Sequence, residues 1–204
     1  MALRLYGITV HDGHGEVKTA DGTELLPFRE LAAVVGPGDY TAPTPSGEAI
    51  DQHRAVVGSV FSTAPILPAP VGTVFRSRDT LTRWLELHYV TLNDALNFVE
   101  DREEARVHIR RMRGKADERD AGADVAAAAA ESFRVLRRYA VTSVPLKTEH
   151  LTGIVLSACF LVERELWGDF VAAVEEQRLK NPGLAFDLSG PWPPYDFVRM
   201  QFGQ

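Results

Sequence analysis

The chain has 204 residues, of which 45% are hydrophobic and 25% charged, and its mean hydropathy is −0.11. This is enough apolar material for one large domain or two small ones, and it excludes a largely disordered chain. Net charge is −6, no apolar run approaches the roughly 18 residues of a membrane-spanning helix, and the single cysteine, Cys159, excludes an internal disulfide.

The opening MALRLYGITV lacks the basic region and small-residue cleavage site of a secretory leader, so the cytoplasm is the expected location. Ala2 to Val10 is rich in Leu, Ile, Val and Tyr and reads as a strand. HDGHGEVKTADGTE (11–24) reads as a Gly-rich loop or long hairpin, and FRELAAVV (28–35) as a second strand that stops at Gly36-Pro37-Gly38, with a short helix over ELAAVV as the alternative. After the loop 41–48, Ile50, His53, Val57, Val60 and Phe61 fall on one face of a helix. APILPAPVGTVF (64–75) carries three prolines in an apolar run, which restricts it to an edge or irregular strand. Ser77 is placed to cap the next helix, with Asp79 in its first turn. Leu81, Trp84, Leu85, His88, Leu92, Ala95, Leu96 and Val99 give that helix the clearest amphipathic pattern in the chain.

The pattern then restarts. EEARVHIRRM (103–112) reads as a strand with Val107 and Ile109 inward, and 114–124 as a charged loop. DVAAAAAESFRVLRRYA (124–140) is a helix whose alanines favour helix formation and let it lie close to a sheet. SVPLK (143–147) is a short strand, and TGIVLSACFLV (152–162) has the continuous apolar character of a strand buried on both faces. Leu166, Trp167, Phe170, Val171 and Val174 mark another helix, stopped by Asn181-Pro182-Gly183. LAFDLSG (184–190) alternates Leu184, Phe186 and Leu188 inward. The second half therefore has the β-α-β-β-α-β order of a ferredoxin-like unit. The expected fold is α+β, with an N-terminal helix-on-sheet domain over 1–101 and a ferredoxin-like domain over 102–204 that ends in a Pro/aromatic tail at 190–204.

Signatures of catalysis are scarce. GxGxxG, the P-loop, HExxH and GxSxG are all absent. His11 and His14 have ligand-like spacing, but no further Cys or His cluster completes a metal site, and a solvated loop is the simpler reading. His53 and His88 lie on apolar helix sides, where histidine serves as a boundary residue with one ring nitrogen hydrogen-bonded. Cys159, inside an apolar run, reads as buried and inert. Glu163 and Glu165 flank Arg164 at a helix start and have no obvious carboxylate mate. The expectation is a protein with no catalytic residues, metal or cofactor. RVHIRRMRGK (106–115) holds five Lys/Arg and no acid. It reads as an edge strand with cationic gatekeepers or as a contact for an acidic protein; nucleic acid is not expected, because no aromatic interleaves the charges.

The segment GPWPPYDFV (190–198) closes the chain's last strand. Its prolines forbid ladder pairing, so the chain is expected to leave the sheet here. Trp192, Pro193, Pro194, Tyr195 and Phe197 form either a plug for the protein's own core or a preorganised partner surface.

At these residues the chain resembles the gas vesicle protein F/L family (GvpF/GvpL). The closing Gly190-Pro191-Trp192-Pro193-Pro194-Tyr195-Asp196-Phe197-Val198 is the most specific point of likeness. LRLYGI (3–8), the stretch from His53 through ILPAPVGTVF (66–75), and CFLVERELWGDFVAAVEE (159–176) are similar to the family's opening strand, centre and penultimate unit. Ala69, Pro70 and Val71 stand where the family centre usually carries an aromatic before Gly-Thr. The resemblance implies a non-enzymatic accessory or minor structural component of gas vesicles, located in the cytoplasm or on the vesicle. It implies binding to the small hydrophobic shell protein GvpA and to other accessory proteins, assistance to nucleation and assembly, and no nucleic-acid or membrane partner. Candidate contacts are the tail residues and, in the Pro-rich strand, Leu67 and Val71. A ferredoxin-like small-ligand sensor is the alternative reading.

Overall fold

The structure is a computed structural model. It describes residues 1–11, 17–39, 46–112, 121–148 and 153–198, with the backbone alone at 121–123. The fold is α+β, with two antiparallel sheets. It divides into two compact units, Met1–Glu100 with Pro193–Gln204, and Asp101–Trp192. The sequence assigned the tail to the second domain; the chain from Pro193 onward groups with the first unit instead, where Val198 packs on the core.

In the first unit the strands are β1 (Leu3–Val10), β2 (Glu24–Phe28), β3 (Leu31–Pro37), β4 (Ile66–Pro68) and β5 (Val74–Phe75), in the order β2-β3-β1-β4, with β5 also pairing β1. Helices α1 (Gly47–Phe61) and α2 (Arg78–Val99) supply two separate cores. Leu31, Ala33 and Val35 join Leu81, Leu85, Leu92, Leu96 and Val99 of α2 in one core. Tyr6, Val34 and Ile66 join Val56, Val57 and Val60 of α1 in the other. Successive residues of β3 thus enter different cores, as a two-residue strand period requires. A register shift between Leu5 and Gly7 inserts one residue into β1, so Leu5 and Ile8, three apart, reach the same core.

The expected single strand at 28–35 is a hairpin instead, β2 and β3, turning at Arg29 (φ +55) and Glu30. The Arg29 guanidinium lies 4.7 Å from the Tyr89 ring centroid, and the Tyr89 hydroxyl donates to the Glu30 carboxylate, which ties the turn to α2. Ser77 caps α2 as its position suggested, in a reciprocal capping box with Thr80. The Pro-rich run forms β4 on the sheet edge beside β1, then a turn in which the Thr73 amide donates to the Pro70 carbonyl at 3.1 Å.

In the second unit the strands are β6 (Arg102–Arg111), β7 (Thr142–Pro145), β8 (Ile154–Glu163) and β9 (Leu184–Trp192), in the order β7-β8-β6-β9 and antiparallel throughout. Helices α3 (Ala121–Leu136) and α4 (Trp167–Lys180) contribute Ala129, Leu136, Phe170, Ala173 and Val174 to a core with Val107, Ile109, Phe160, Leu184 and Phe186. This is the ferredoxin-like arrangement. Two expectations are corrected. First, β6 lies between β8 and β9 and is not an edge. Second, the chain does not leave the sheet at Gly190. The ladder of β9 shifts register and resumes, pairing Trp192 with Glu104. Pro191, which follows a cis peptide, is tolerated because β9 is the outermost strand.

Among the described residues, a proline lies in β2 (Pro27), β4 (Pro68), β7 (Pro145) and β9 (Pro191), the strands that end the two sheet orders; β5, which shares the β1 edge with β4, carries none. A proline removes one ladder donor, so these edges are poor templates for an added strand.

Candidate functional site

The tail divides residue by residue. Trp192, the last residue of β9, is 46% exposed, and its indole Nε1 donates to Ser189 Oγ at 3.2 Å. Pro193 and Pro194 are buried. The Tyr195 amide donates to the Pro193 carbonyl at 2.7 Å, and the Phe197 amide to the Pro194 carbonyl at 3.3 Å. That tight turn leaves Tyr195 36% exposed and Phe197 half-buried. The segment is therefore part plug and part surface. Pro193, Pro194 and Val198 hold down the part from Pro193 onward, and Trp192 and Tyr195 are partly exposed.

Of the two central candidates, Val71 is 37% exposed in the turn after β4. Leu67 is fully buried in the core shared with α2 and pairs through the backbone with Ile8, so it offers no contact surface. A leucine between prolines reads the same in sequence whether it faces out or in.

Among the described residues, the histidines and the acids beside Arg164 do not converge on one site. His11 is exposed, and His14 lies outside the described residues. His88 is half-buried, its ring 4.9 Å from that of Trp84. Cys159 is fully buried and accepts from Arg106 Nε at 3.3 Å, so the thiol in the apolar run faces a guanidinium. Glu163 precedes and Glu165 lies within the 3-10 turn Arg164–Leu166 that leads into α4, and Arg164 bonds Glu103 at 3.0 Å.

Two cations of the basic stretch are paired within its sheet. Arg106 pairs with Glu104 at 3.2 Å and Arg110 with Asp187 at 2.6 Å. His108 Nδ1 lies 2.7 Å from Ser157 Oγ. Burial lowers the His108 pKa, as do Arg106 and Arg110, while Asp187 acts the other way. Ser157, His108 and Asp187 form one cross-strand row, which only the register of β8, β6 and β9 reveals. Ser157 is 2% exposed and Asp187 is held by Arg110, so the row resembles a cross-strand polar link more than a nucleophile with its base. Arg111 and Met112 are exposed, and 113–115 lie outside the described residues.

His53 is more buried than its helix position suggested, at 1% exposure, with its ring 5.4 Å from that of Tyr6. Neither ring nitrogen has a partner in full hydrogen-bond geometry. Burial pushes its pKa below the ordinary 6.5; the Ala69 backbone opposes this and the nearby Arg4 charge adds to it. The unfolded chain therefore binds a proton that the folded chain refuses, and stability is lost as pH falls below the unfolded value. Wild-type stability, measured by urea unfolding, is expected to decline from pH 7 to pH 5, and a His53→Leu variant is expected to show a flatter decline. Equal slopes would contradict this.

The sequence pattern for α2 described only its inner face. Its outer face carries Leu87, Val90 and Phe98, exposed by 79%, 69% and 41%.

Two solved structures share this fold. The crystal structure of the gas vesicle protein GvpF from Anabaena sp. aligns with a TM-score of 0.80 at 17% identity, covering 100% of this chain and 98% of that one. That of GvpF from Microcystis aeruginosa aligns with a TM-score of 0.73 at 15% identity, covering 98% and 99%. The family described as gas vesicle synthesis protein GvpL/GvpF matches residues 2–121 and 108–199, and the chain belongs to that family. It is 27% identical to gas vesicle protein F2 of Halobacterium salinarum over 213 residues, covering 98% of this chain and 94% of the relative. It is also 26% identical to gas vesicle protein F of Haloferax mediterranei over 193 residues, covering 92% and 86%. A role connected with gas vesicles follows from the family.

Proposed function

We propose that this chain is a cytoplasmic, non-enzymatic accessory or minor component that binds the hydrophobic shell protein GvpA and assists gas vesicle nucleation and assembly. The observation that carries the reading is the division of the tail. Trp192 is exposed at the end of β9, and Tyr195 is exposed in the turn that buried Pro193 and Pro194 anchor. Rigid aromatics held this way bind apolar surface with little conformational entropy left to lose. The proline-bearing sheet edges fit the same role, because they protect the chain from strand-to-strand aggregation while it handles an apolar partner.

Truncation from residue 190 would remove the end of β9, where Trp192 pairs with Glu104 of β6, so point substitutions separate binding from folding. A Trp192→Ala/Tyr195→Ala variant is expected to keep its melting temperature within a few degrees. It is expected to capture the shell protein at least about tenfold less well, the usual loss for exposed aromatic hot spots. Undiminished capture by the folded variant would remove the tail from the interface.

A further inference from the structure

A second surface lies on α2 and is separate from the tail. At 3.6 residues per turn, Leu87, Val90 and Phe98 fall within about 80° of one another over roughly 16 Å of helix. They are 79%, 69% and 41% exposed, opposite the buried Leu81, Leu85, Leu92, Leu96 and Val99. Isolated exposed leucines are commonplace, but an aligned stripe on a helix whose other face already fills a core requires a reason. Its surroundings are electronegative. Glu86 is exposed beside the stripe, Asp94 is exposed within it between Val90 and Phe98, and Glu100 caps the helix. The last turn has no basic residue, so the negative end of the helix dipole adds to these carboxylates. Arg83, at the start of the stripe, is the cation of the exposed face.

We propose that the outer face of α2 docks an amphipathic partner helix whose apolar stripe is bordered by lysine and arginine. The apolar residues supply the contact area. Cationic flanks satisfy Glu86, Asp94 and the helix C-terminus. A second copy of this chain is disfavoured, because it would bring the same carboxylates to the contact and carries the same net charge of −6. Strand addition is disfavoured by the prolines on the sheet edges.

The test uses the full chain and two synthetic 18-residue amphipathic helices, one of leucine and lysine and one of leucine and glutamate, titrated by calorimetry. Four results are expected. Wild type binds the Leu/Lys peptide saturably and the Leu/Glu peptide at least tenfold more weakly. Leu87→Gln/Val90→Gln loses at least tenfold in Leu/Lys affinity. Glu86→Lys/Asp94→Lys reverses the preference between peptides. Leu179→Gln, at a leucine 82% exposed on α4, changes nothing. The proposal is overturned by equal binding of the two peptides, by undiminished binding to the Leu87/Val90 variant, or by wild-type dimers that this variant dissociates. Should the glutamine variant fail to fold, the charge-reversed variant still decides the matter, since its preference either switches or does not.

Discussion

A Gly190→Ala variant is expected to lose about 3–5 kcal/mol of stability, a large share of what a domain this size possesses. Gly190 sits at φ +131, a region that side-chain-bearing residues rarely enter. A Cβ there would lie 2.7 Å from the Glu104 carbonyl oxygen and 2.8 Å from Trp167 Cη2. The first is backbone of the interior strand β6 and has nowhere to go; the second belongs to a ring packed on the core of the second unit. Both strain and overlap are relieved only by pulling β9 off β6 at the register shift, which loosens Trp192 at the end of the strand. Urea unfolding followed by tryptophan fluorescence measures the loss directly. A variant within 1 kcal/mol of wild type would mean that the close approach of β9 to β6 is not as described.

Phe160→Ala is expected to cost about 3–5 kcal/mol, the range for deleting a buried aromatic and leaving a cavity. Phe160 is fully buried on β8, with ring centroids 5.7 Å from Phe133 of α3 and 5.2 Å from Phe170 of α4. It joins both helices to the sheet, so neighbours on three elements lose contacts together. Phe160→Leu refills much of the volume and is expected to recover more than half of the loss. If alanine and leucine were equally disruptive, a specific aromatic geometry would outweigh packing volume.

The parts of the fold legible from sequence were those whose signal is local. Ser77 followed by Thr80 is a cap whatever lies elsewhere, and the spacing of Leu81, Leu85, Leu92 and Leu96 has one helical solution. Val107 and Ile109 alternate with charged residues and face inward as expected. Features set by distant partners were not legible. The arginines of β6 resembled edge protection because β9, whose Asp187 bonds Arg110, becomes the outer neighbour of β6 only once the sheet has formed. Pro191 resembled a strand terminator because sequence does not show that β9 is outermost and needs no outer partner. The β2–β3 hairpin was hidden by a turn at Arg29, which lacks the usual Asn-Gly signal, and by Pro27. In the candidate site, the sequence identified the aromatic tail but not its division into buried prolines and exposed rings, since the segment has no period from which a face is read. Leu67 was a candidate partner contact, and pairing of β4 with β1 buries it.

The most direct test of the central claim is the solubility of the GvpA-type shell protein when it is co-expressed with this chain. The wild-type chain is expected to co-purify with the shell protein and to raise its soluble fraction several-fold, and the Trp192→Ala/Tyr195→Ala variant is expected to lose most of that gain while remaining folded. A shell protein that stays insoluble and uncaptured beside well-folded wild-type chain would contradict the account.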